Sequence, residues 1–390
     1  MNEKQPLQAR TGSGCFSSGL VHKRPFSILF FMRSISRLAY VLLSGLLLSA
    51  SACQQTKQTP APVVPPVVAS PTTATTFTNP LLASGPDPWV TQKDGFYYYM
   101  HTLNNRLEIW KTANMSELRT APSKVVWTPP STGNAAGNLW APELHFLDGK
   151  WYIYYSAGPA GTDLGRQRTW VLENDAADPT TGTWLDKGRL FSSPEDFWAI
   201  DGTVLEQNGK RYFIWSGHNG LDGIQRIYIS QMGNPWTLVG PRVELSHPEY
   251  IWENVGPPYV NEGPEILKHG GKTFLIYSAS FCGTDQYALG QLTADATADP
   301  MLLASWKKSA KPVFSQDAAN RAYATGHNSF FTSKDGKEDW IIYHANSNPN
   351  EGCVDKRNPR MQKFTWNADG TPNFGVPVAI SAPIIKPSGE

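Results

Sequence analysis

The chain has 390 residues, enough for one large all-β domain or for two domains of average size. Its formal net charge is +1 and only 17% of its residues are charged. It contains no basic stripe, so nucleic acid is excluded as an expected partner. Aromatic residues make up 12% of the chain, and the packing of β-structure explains most of that content.

Residues 1–53 are typical of a targeting segment. A short basic stretch beginning at Met32 precedes an apolar run over 38–52, which is too short to span a bilayer comfortably and suits the core of a signal peptide. The run ends in Ala-Ser-Ala-Cys, which resembles the lipobox of bacterial lipoproteins, although alanine stands where leucine is commoner. We therefore expect a lipid anchor at Cys53. An ordinary secretory peptide is the alternative, and Met32 is an alternative start.

Residues 54–76 consist mainly of Gln, Thr, Pro, Val, Ala and Ser. Such a segment cannot bury enough apolar surface to fold, so it is predicted to be a disordered linker. The folded domain is predicted over 77–390, as a single domain. We expect an exported protein, either a cell-surface or periplasmic lipoprotein or a secreted protein.

One short pattern recurs five times in the predicted domain. A turn ending in glycine is followed by an aromatic or aliphatic run that closes on a small polar residue or a histidine. Asp-Gly, Asn-Gly and Gly-Gly dipeptides supply the positive φ angles of tight hairpin turns. The turn glycines, which are spaced 54 to 65 residues apart, are Gly95, Gly149, Gly209, Gly271 and Gly336. Five such units of short strands predict an all-β fold, a five-bladed β-propeller.

The position of the acidic residues relative to these turns indicates a site. Asp87 and Asp201 each lie eight residues before the turn glycine of their repeat, and Glu262 lies nine before. His327 also lies nine before its glycine, whereas the second repeat has Ala141 at the eighth position. If the strands before the turns are the inner strands of the blades, their starts converge at one end of the central channel. Three carboxylates and a histidine would then line one pocket.

Two cysteines of the domain lie just after the second strand of their repeats. Cys282 follows that strand in the fourth repeat and Cys353 in the fifth. Because adjacent blades bring these loops together in an exported protein, we expect a disulfide, with two free thiols as the alternative. The isolation of each cysteine excludes a metal site of the CxxC type.

The segments around these residues resemble glycoside hydrolase family 43, five-bladed propeller enzymes that act on arabinan, arabinoxylan and xylan. The resemblance extends over about residues 79 to 380, and each motif falls on its expected repeat. The matching segments are GPDPW at 85–89, WAPEL at 140–144, IDGT at 200–203, NEGP at 261–264, GHNSF at 326–330 and RNPRMQ at 357–362.

The resemblance implies an inverting mechanism with Asp87 as the general base and Glu262 as the general acid. Asp201 would hold the acid in place and raise its pKa. Inversion requires the two carboxyl groups to stand about 6.5–9.5 Å apart, so that a water fits between them. Glu265 is the alternative acid, but residues an odd number apart on a strand point to opposite faces. Glu143 is expected to be a structural or pocket-wall acid.

The same resemblance suggests the substrate contacts. Trp140 would stack on a sugar or wedge between blades. Arg360 matches the arginine that reaches the substrate from the fifth blade, and Arg357 remains an alternative. His327 would lie on the propeller axis under the pocket, near a structural calcium or sodium ion or as an ordinary core histidine. No cofactor is expected to be required for the reaction.

We expect an inverting glycosidase that releases L-arabinofuranose from α-1,5-arabinan or from arabinose-containing polysaccharides. The finer resemblance is to exo-acting α-1,5-L-arabinofuranosidases. A β-xylosidase or an endo-arabinanase on the same scaffold is the alternative, although many β-xylosidase relatives carry a further β-sandwich for which the five repeats leave no residues. A non-catalytic glycan-binding propeller is disfavoured because the acids differ from blade to blade. We expect a monomer.

Overall fold

The computed structural model describes residues 75–191 and 198–390. The predicted leader, the lipid anchor at Cys53 and nearly all of the predicted linker therefore lie outside the described residues. Within the described ranges, no helix is long and apolar enough to cross a membrane. The structure there is almost entirely β-sheet, with helical residues only in short 3₁₀ turns.

A short first strand, β1 (Thr76–Phe77), precedes five four-stranded antiparallel sheets, each built from four consecutive strands. Blade 1 consists of β2 (Trp89–Lys93), β3 (Phe96–Met100), β4 (Leu107–Thr112) and β5 (Ser123–Trp127). Blade 2 consists of β6 (Gly137–Leu147), β7 (Lys150–Gly158), β8 (Arg168–Asn174) and β9 (Leu185–Arg189). Blade 3 consists of β10 (Ala199–Gln207), β11 (Lys210–Gly217), β12 (Arg226–Asn234) and β13 (Thr237–Ser246).

Blades 4 and 5 continue the series, with very short outer strands. Blade 4 consists of β14 (Asn261–His269), β15 (Lys272–Ala279), β16 (Ala288–Asp295) and β17 (Lys307–Lys308). Blade 5 consists of β18 (Tyr323–Thr332), β19 (Asp339–Asn346), β20 (Asn358–Trp366) and β21 (Pro372–Asn373). The five-bladed β-propeller predicted from the turn dipeptides is therefore confirmed.

Two sets of contacts close the ring of blades, one between the inner strands and one between the first and last strands of the propeller. The first strand of each blade contacts the first strand of the next, and β18 of blade 5 contacts β2 of blade 1. Strand β1 pairs with β22 (Ile384–Ile385). The beginning and the end of the propeller are thus joined by backbone hydrogen bonds. The front face is defined here as the face at which the first strands begin.

Aromatic side chains from the second strands fill the space between blades. Tyr97 of blade 1 packs edge-on against Phe331 of blade 5, with centroids 5.5 Å apart, and Tyr154 of blade 2 packs against Phe213 of blade 3 at 5.2 Å. Such pairs contribute about 0.5–1.5 kcal/mol each beyond the burial of their area. The aromatic runs after the turn glycines therefore form the contacts that hold the blades together.

Cys282 and Cys353 form a disulfide, which confirms the predicted pairing. It joins the front loop of blade 4, between β15 and β16, to the front loop of blade 5, between β19 and β20.

Candidate active site

The front end of the channel opens into a cavity of about 730 Å³ to which all five blades contribute. Five of the six residues predicted from the sequence line it, namely Asp87, Trp140, Asp201, Glu262 and His327. The sixth, Arg360, does not line it.

Each blade has a residue with left-handed backbone geometry within its first strand or, in blade 1, just before it. Its φ is +57° at Asp87, +42° at Ala141, +53° at Asp201, +53° at Gly263 and +44° at His327. This conformation is uncommon for residues other than glycine and redirects the chain locally. In blade 4 the counterpart of Asp87 is therefore Gly263, eight residues before its turn glycine, and Glu262 lies one residue earlier.

Side chains at the ends of the second strands hold these positions from the neighbouring blade. The Asp201 N–H donates to Ser156 Oγ of blade 2 at 3.1 Å, and the His327 N–H donates to Ser278 Oγ of blade 4 at 2.8 Å. The equivalent bonds join Ala141 N to Thr102 Oγ1, Asp87 N to His344 Nδ1, and Ser216 Oγ to Asn261 O. Four of these five partners are the residues on which the aromatic runs of their repeats close, namely Ser156, Ser216, Ser278 and His344. Each of them therefore helps to position the site residues of the next blade.

Asp87 is surrounded by groups that favour its ionised form. Its Oδ1 lies 3.0 Å from Arg357 Nη1 and 3.3 Å from His327 Nδ1, and its Oδ2 accepts a hydrogen bond from Thr102 Oγ1 at 2.6 Å. Burial alone would raise the pKa of Asp87, but the Arg357 guanidinium and these partners outweigh it and hold the pKa well below its usual value. Asp87 is therefore a carboxylate at neutral pH.

The pKa of Glu262 is shifted in the opposite direction. Its Oε2 accepts from Gln225 Nε2 and its Oε1 from the Tyr287 hydroxyl, both at 2.9 Å. Burial raises the pKa of Glu262 above its usual value, the two hydrogen bonds oppose that shift only in part, and the negative charge of Asp87 adds to it. The Glu262 carboxyl group therefore keeps its proton to a higher pH than a free glutamate does.

Asp201 lies next to both. Its Oδ2 accepts a hydrogen bond from the Gly263 N–H at 3.1 Å and lies 4.0 Å from His327 Nδ1. Burial, followed by the charges of Glu262 and Asp87, holds the pKa of Asp201 well above its usual value. Two carboxyl groups whose environments move their pKa values in opposite directions are what an acid–base pair requires, and the cavity contains that pair in Asp87 and Glu262.

Glu265, the alternative acid, does not line the cavity. The register of β14 and β15 shifts between Glu262 and Glu265, and Glu265 is buried in a hydrogen bond with Glu143. Glu143 is also 2.8 Å from His145 Nε2. Burial, followed by their mutual proximity, raises the pKa of Glu265, so this buried pair favours sharing a proton.

The structure separates the two candidate arginines. Arg360 is fully buried in β20, where its guanidinium donates to Asn358 Oδ1, to backbone carbonyls and to Ser347 Oγ. The choice of Arg360 as the substrate contact is therefore corrected, because a fully buried strand residue whose guanidinium is held by four hydrogen bonds does not line the cavity. Arg357 lies in the front loop, lines the cavity and pairs with Asp87.

Trp140 lies in the cavity wall with its indole nitrogen donating to Asn104 Oδ1 at 2.9 Å. His327 is buried, and its burial lowers its pKa. Within residues 75–191 and 198–390, no three His, Cys, Asp or Glu side chains are grouped so that they could hold a metal ion. A structural ion beside His327 stays a prediction.

Sequence reasoning missed two partners of Glu262. Gln225 ends the front loop before β12, and Tyr287 ends the front loop before β16. Both lie outside the repeated strand pattern, so counting from the turns could not find them. Tyr287 also stacks on His344, whose Nδ1 accepts the Asp87 N–H, and it thereby connects the surroundings of both catalytic candidates.

Comparison with known proteins adds to this geometry. Residues 77–372 match the profile of glycosyl hydrolases family 43. The extracellular exo-α-(1→5)-L-arabinofuranosidase of Streptomyces avermitilis is 43% identical over 83% of this chain and 67% of its own length. Alpha-L-arabinofuranosidase 43 of Humicola insolens is 39% identical over 78% of this chain and 64% of its own length. The chain thus spans about two thirds of these two relatives.

A solved structure is also similar. The crystal structure of α-L-arabinofuranosidase from Lactobacillus brevis superposes with a TM-score of 0.74 at 36% sequence identity. The match covers 78% of this chain and 98% of that one.

Proposed function

The chain belongs to glycosyl hydrolases family 43 and is a glycosidase, and we propose that it releases L-arabinofuranose from the ends of α-1,5-linked arabinan with inversion. The observation that carries the proposal is that Asp87, paired with Arg357, and Glu262, hydrogen-bonded to Gln225 and Tyr287, line one cavity from different blades. The similarity to exo-α-1,5-L-arabinofuranosidases supports the choice of substrate.

The proposed reaction is a single displacement. The Asp87 carboxylate takes a proton from a water as the water oxygen bonds to the anomeric carbon. The bond from that carbon to the glycosidic oxygen breaks, and the Glu262 carboxylic acid gives its proton to the departing oxygen. Asp201 Oδ2 accepts the Gly263 N–H and so holds the backbone beside Glu262, while the negative charge of Asp87 favours the protonated form of Glu262.

The relatives support action at chain ends, because two of them are exo-α-(1→5)-L-arabinofuranosidases, each 43% identical to this chain. The cavity receives residues from all five blades, and the Cys282–Cys353 disulfide forms part of its wall between blades 4 and 5. The extracellular relatives support secretion, and the anchor at Cys53 is part of the proposal.

Chromatography of the products from linear α-1,5-arabinan tests the proposal. Arabinose alone should be released from the earliest time points, because an exo-acting enzyme removes one terminal sugar at a time. A ladder of oligosaccharides would instead favour an endo-arabinanase. Hydrolysis of xylo-oligosaccharides in preference to arabinan or arabinoxylan side chains would favour a β-xylosidase.

A further inference from the structure

A stacked pair of aromatic rings forms part of the cavity wall in blade 3. The rings of Trp198 and His218 lie with centroids 4.5 Å apart and an interplanar angle of 19°, and both residues line the cavity. The Trp198 indole nitrogen donates to Leu164 O at 2.8 Å, and the backbone N–H of His218 donates to Trp198 O at 3.3 Å. The proposed reaction uses neither ring.

The pair lies beside the acid. Gly217 and Arg226 face each other in the β11–β12 pair, so His218 and Gln225 are the next residues outward on the two chains. The Gln225 amide donates to Glu262 Oε2 at 2.9 Å. Because the acid protonates the oxygen that leaves with the departing group, the wall next to Gln225 is the wall that this group passes.

The stack has the chemistry of a sugar platform. Burial, followed by the charge of Arg226, lowers the pKa of His218, so the imidazole is uncharged at neutral pH. A flat, uncharged ring can cover the C–H face of a furanose and exclude water from it. The bond to Leu164 O holds the edge of the Trp198 indole, and the backbone bond between His218 and Trp198 holds the two residues side by side. One face of each ring packs against the other ring, and the stack lines the cavity.

The loop that carries His218 is held in place without a ligand. Asn219 Oδ1 accepts the Leu221 N–H at 2.8 Å, and Asp222 Oδ1 accepts the Ile224 N–H at 3.1 Å. The Asp222 carboxylate also pairs with Arg226 at 2.6 Å. A loop ordered in this way loses little conformational freedom on binding, which favours affinity.

We propose that Trp198 and His218 form a subsite for the sugar on the leaving-group side of the scissile bond, a second arabinofuranose of the α-1,5-linked chain. This inference rests on the proposed function. The subsite makes the enzyme favour oligosaccharides over arabinofuranosides whose leaving group is a small alkyl alcohol.

The test compares α-1,5-arabinobiose with methyl α-L-arabinofuranoside, which has no second sugar. In His218→Ala and Trp198→Ala, the ratio of kcat/KM for arabinobiose to kcat/KM for the methyl glycoside should fall roughly ten-fold, with the methyl glycoside little affected. Because Trp198 lies three residues before Asp201, His218→Ala is the decisive variant.

Trp366→Ala is the matched control. It removes a Trp–His stack with His269, with centroids 3.8 Å apart and an interplanar angle of 8°, that lies outside the cavity. Its ratio should equal that of the wild type. An unchanged ratio in folded His218→Ala would overturn the subsite while leaving the proposed function intact. Failure of the wild type to hydrolyse arabinobiose and the methyl glycoside would overturn both proposals.

Discussion

Tyr287→Phe is expected to move the alkaline limb of the pH–rate profile to higher pH. The hydroxyl of Tyr287 donates to Glu262 Oε1 at 2.9 Å, and the residue is only 1% exposed. This bond stabilises the carboxylate relative to the carboxylic acid, so its loss raises the pKa of Glu262 further. The general acid must be protonated to act, so activity is lost as the pH rises through that pKa.

The size of the effect follows from the charge on the acceptor. A hydrogen bond to a charged group contributes about 1.5–3 kcal/mol, and one pKa unit corresponds to about 1.4 kcal/mol. The alkaline limb of kcat/KM for arabinobiose should therefore move upward by about 1–2 pH units. The acidic limb, which the base Asp87 sets, should remain in place because Arg357 and Thr102 still contact Asp87.

Tyr277→Phe is the matched control. The Tyr277 hydroxyl donates to Glu253 Oε1 at 2.8 Å, and Glu253 is fully buried and does not line the cavity. Both variants lose a buried bond to a glutamate, but only Tyr287→Phe should move the alkaline limb. An unmoved limb in Tyr287→Phe, or one that moves to lower pH, would refute the assignment of Glu262 as the group that sets it.

Three further predictions concern the reaction and the fold. Asp87→Asn and Glu262→Gln should each lower kcat on arabinobiose by roughly 10²–10⁴-fold with an unchanged circular dichroism spectrum; near wild-type turnover of either variant would contradict its role. Proton NMR of the first-formed sugar should show β-arabinofuranose before mutarotation, because a single displacement inverts the anomeric carbon; early α-anomer would indicate a covalent intermediate. The double variant Cys282→Ser/Cys353→Ser opens a covalent loop between residues 71 apart in the sequence. Its free energy of unfolding, measured with denaturant, should fall by about 4 kcal/mol according to the chain-entropy model. An unchanged midpoint would show that the disulfide does not contribute to stability.

The fold was predictable because its signals are local. Each turn dipeptide determines one hairpin, and the aromatic run after it determines which strand packs between blades. Five such units at similar spacing leave few other arrangements. The β2–β3 pair shows this directly: Asp94 and Gly95 both have positive φ, and the ladder begins with Lys93 opposite Phe96.

The site was predictable where it depends on strand register and unpredictable where it depends on loops. Asp87 and Asp201 occupy equivalent left-handed positions, so counting from the turn found them. Glu262 was found one residue away from the equivalent position, which Gly263 occupies. The choice between Arg357 and Arg360 depends on where β20 begins. Because β20 begins at Asn358, Arg357 lies in the loop and lines the cavity, whereas Arg360 lies in the strand and is buried inside the blade.

The bonds between blades explain how a strained site persists in a stable fold. A non-glycine residue in the left-handed region costs of the order of 1–3 kcal/mol, and Asp201 and His327 both adopt it. Each donates its N–H to a buried serine of the preceding blade, and a bond of this kind returns about 0.5–1.5 kcal/mol. Since the serine belongs to one blade and the strained residue to the next, the site is retained only while the blades remain docked. The geometry that brings carboxyl groups from separate blades into one cavity is therefore stabilised by the same contacts that close the ring.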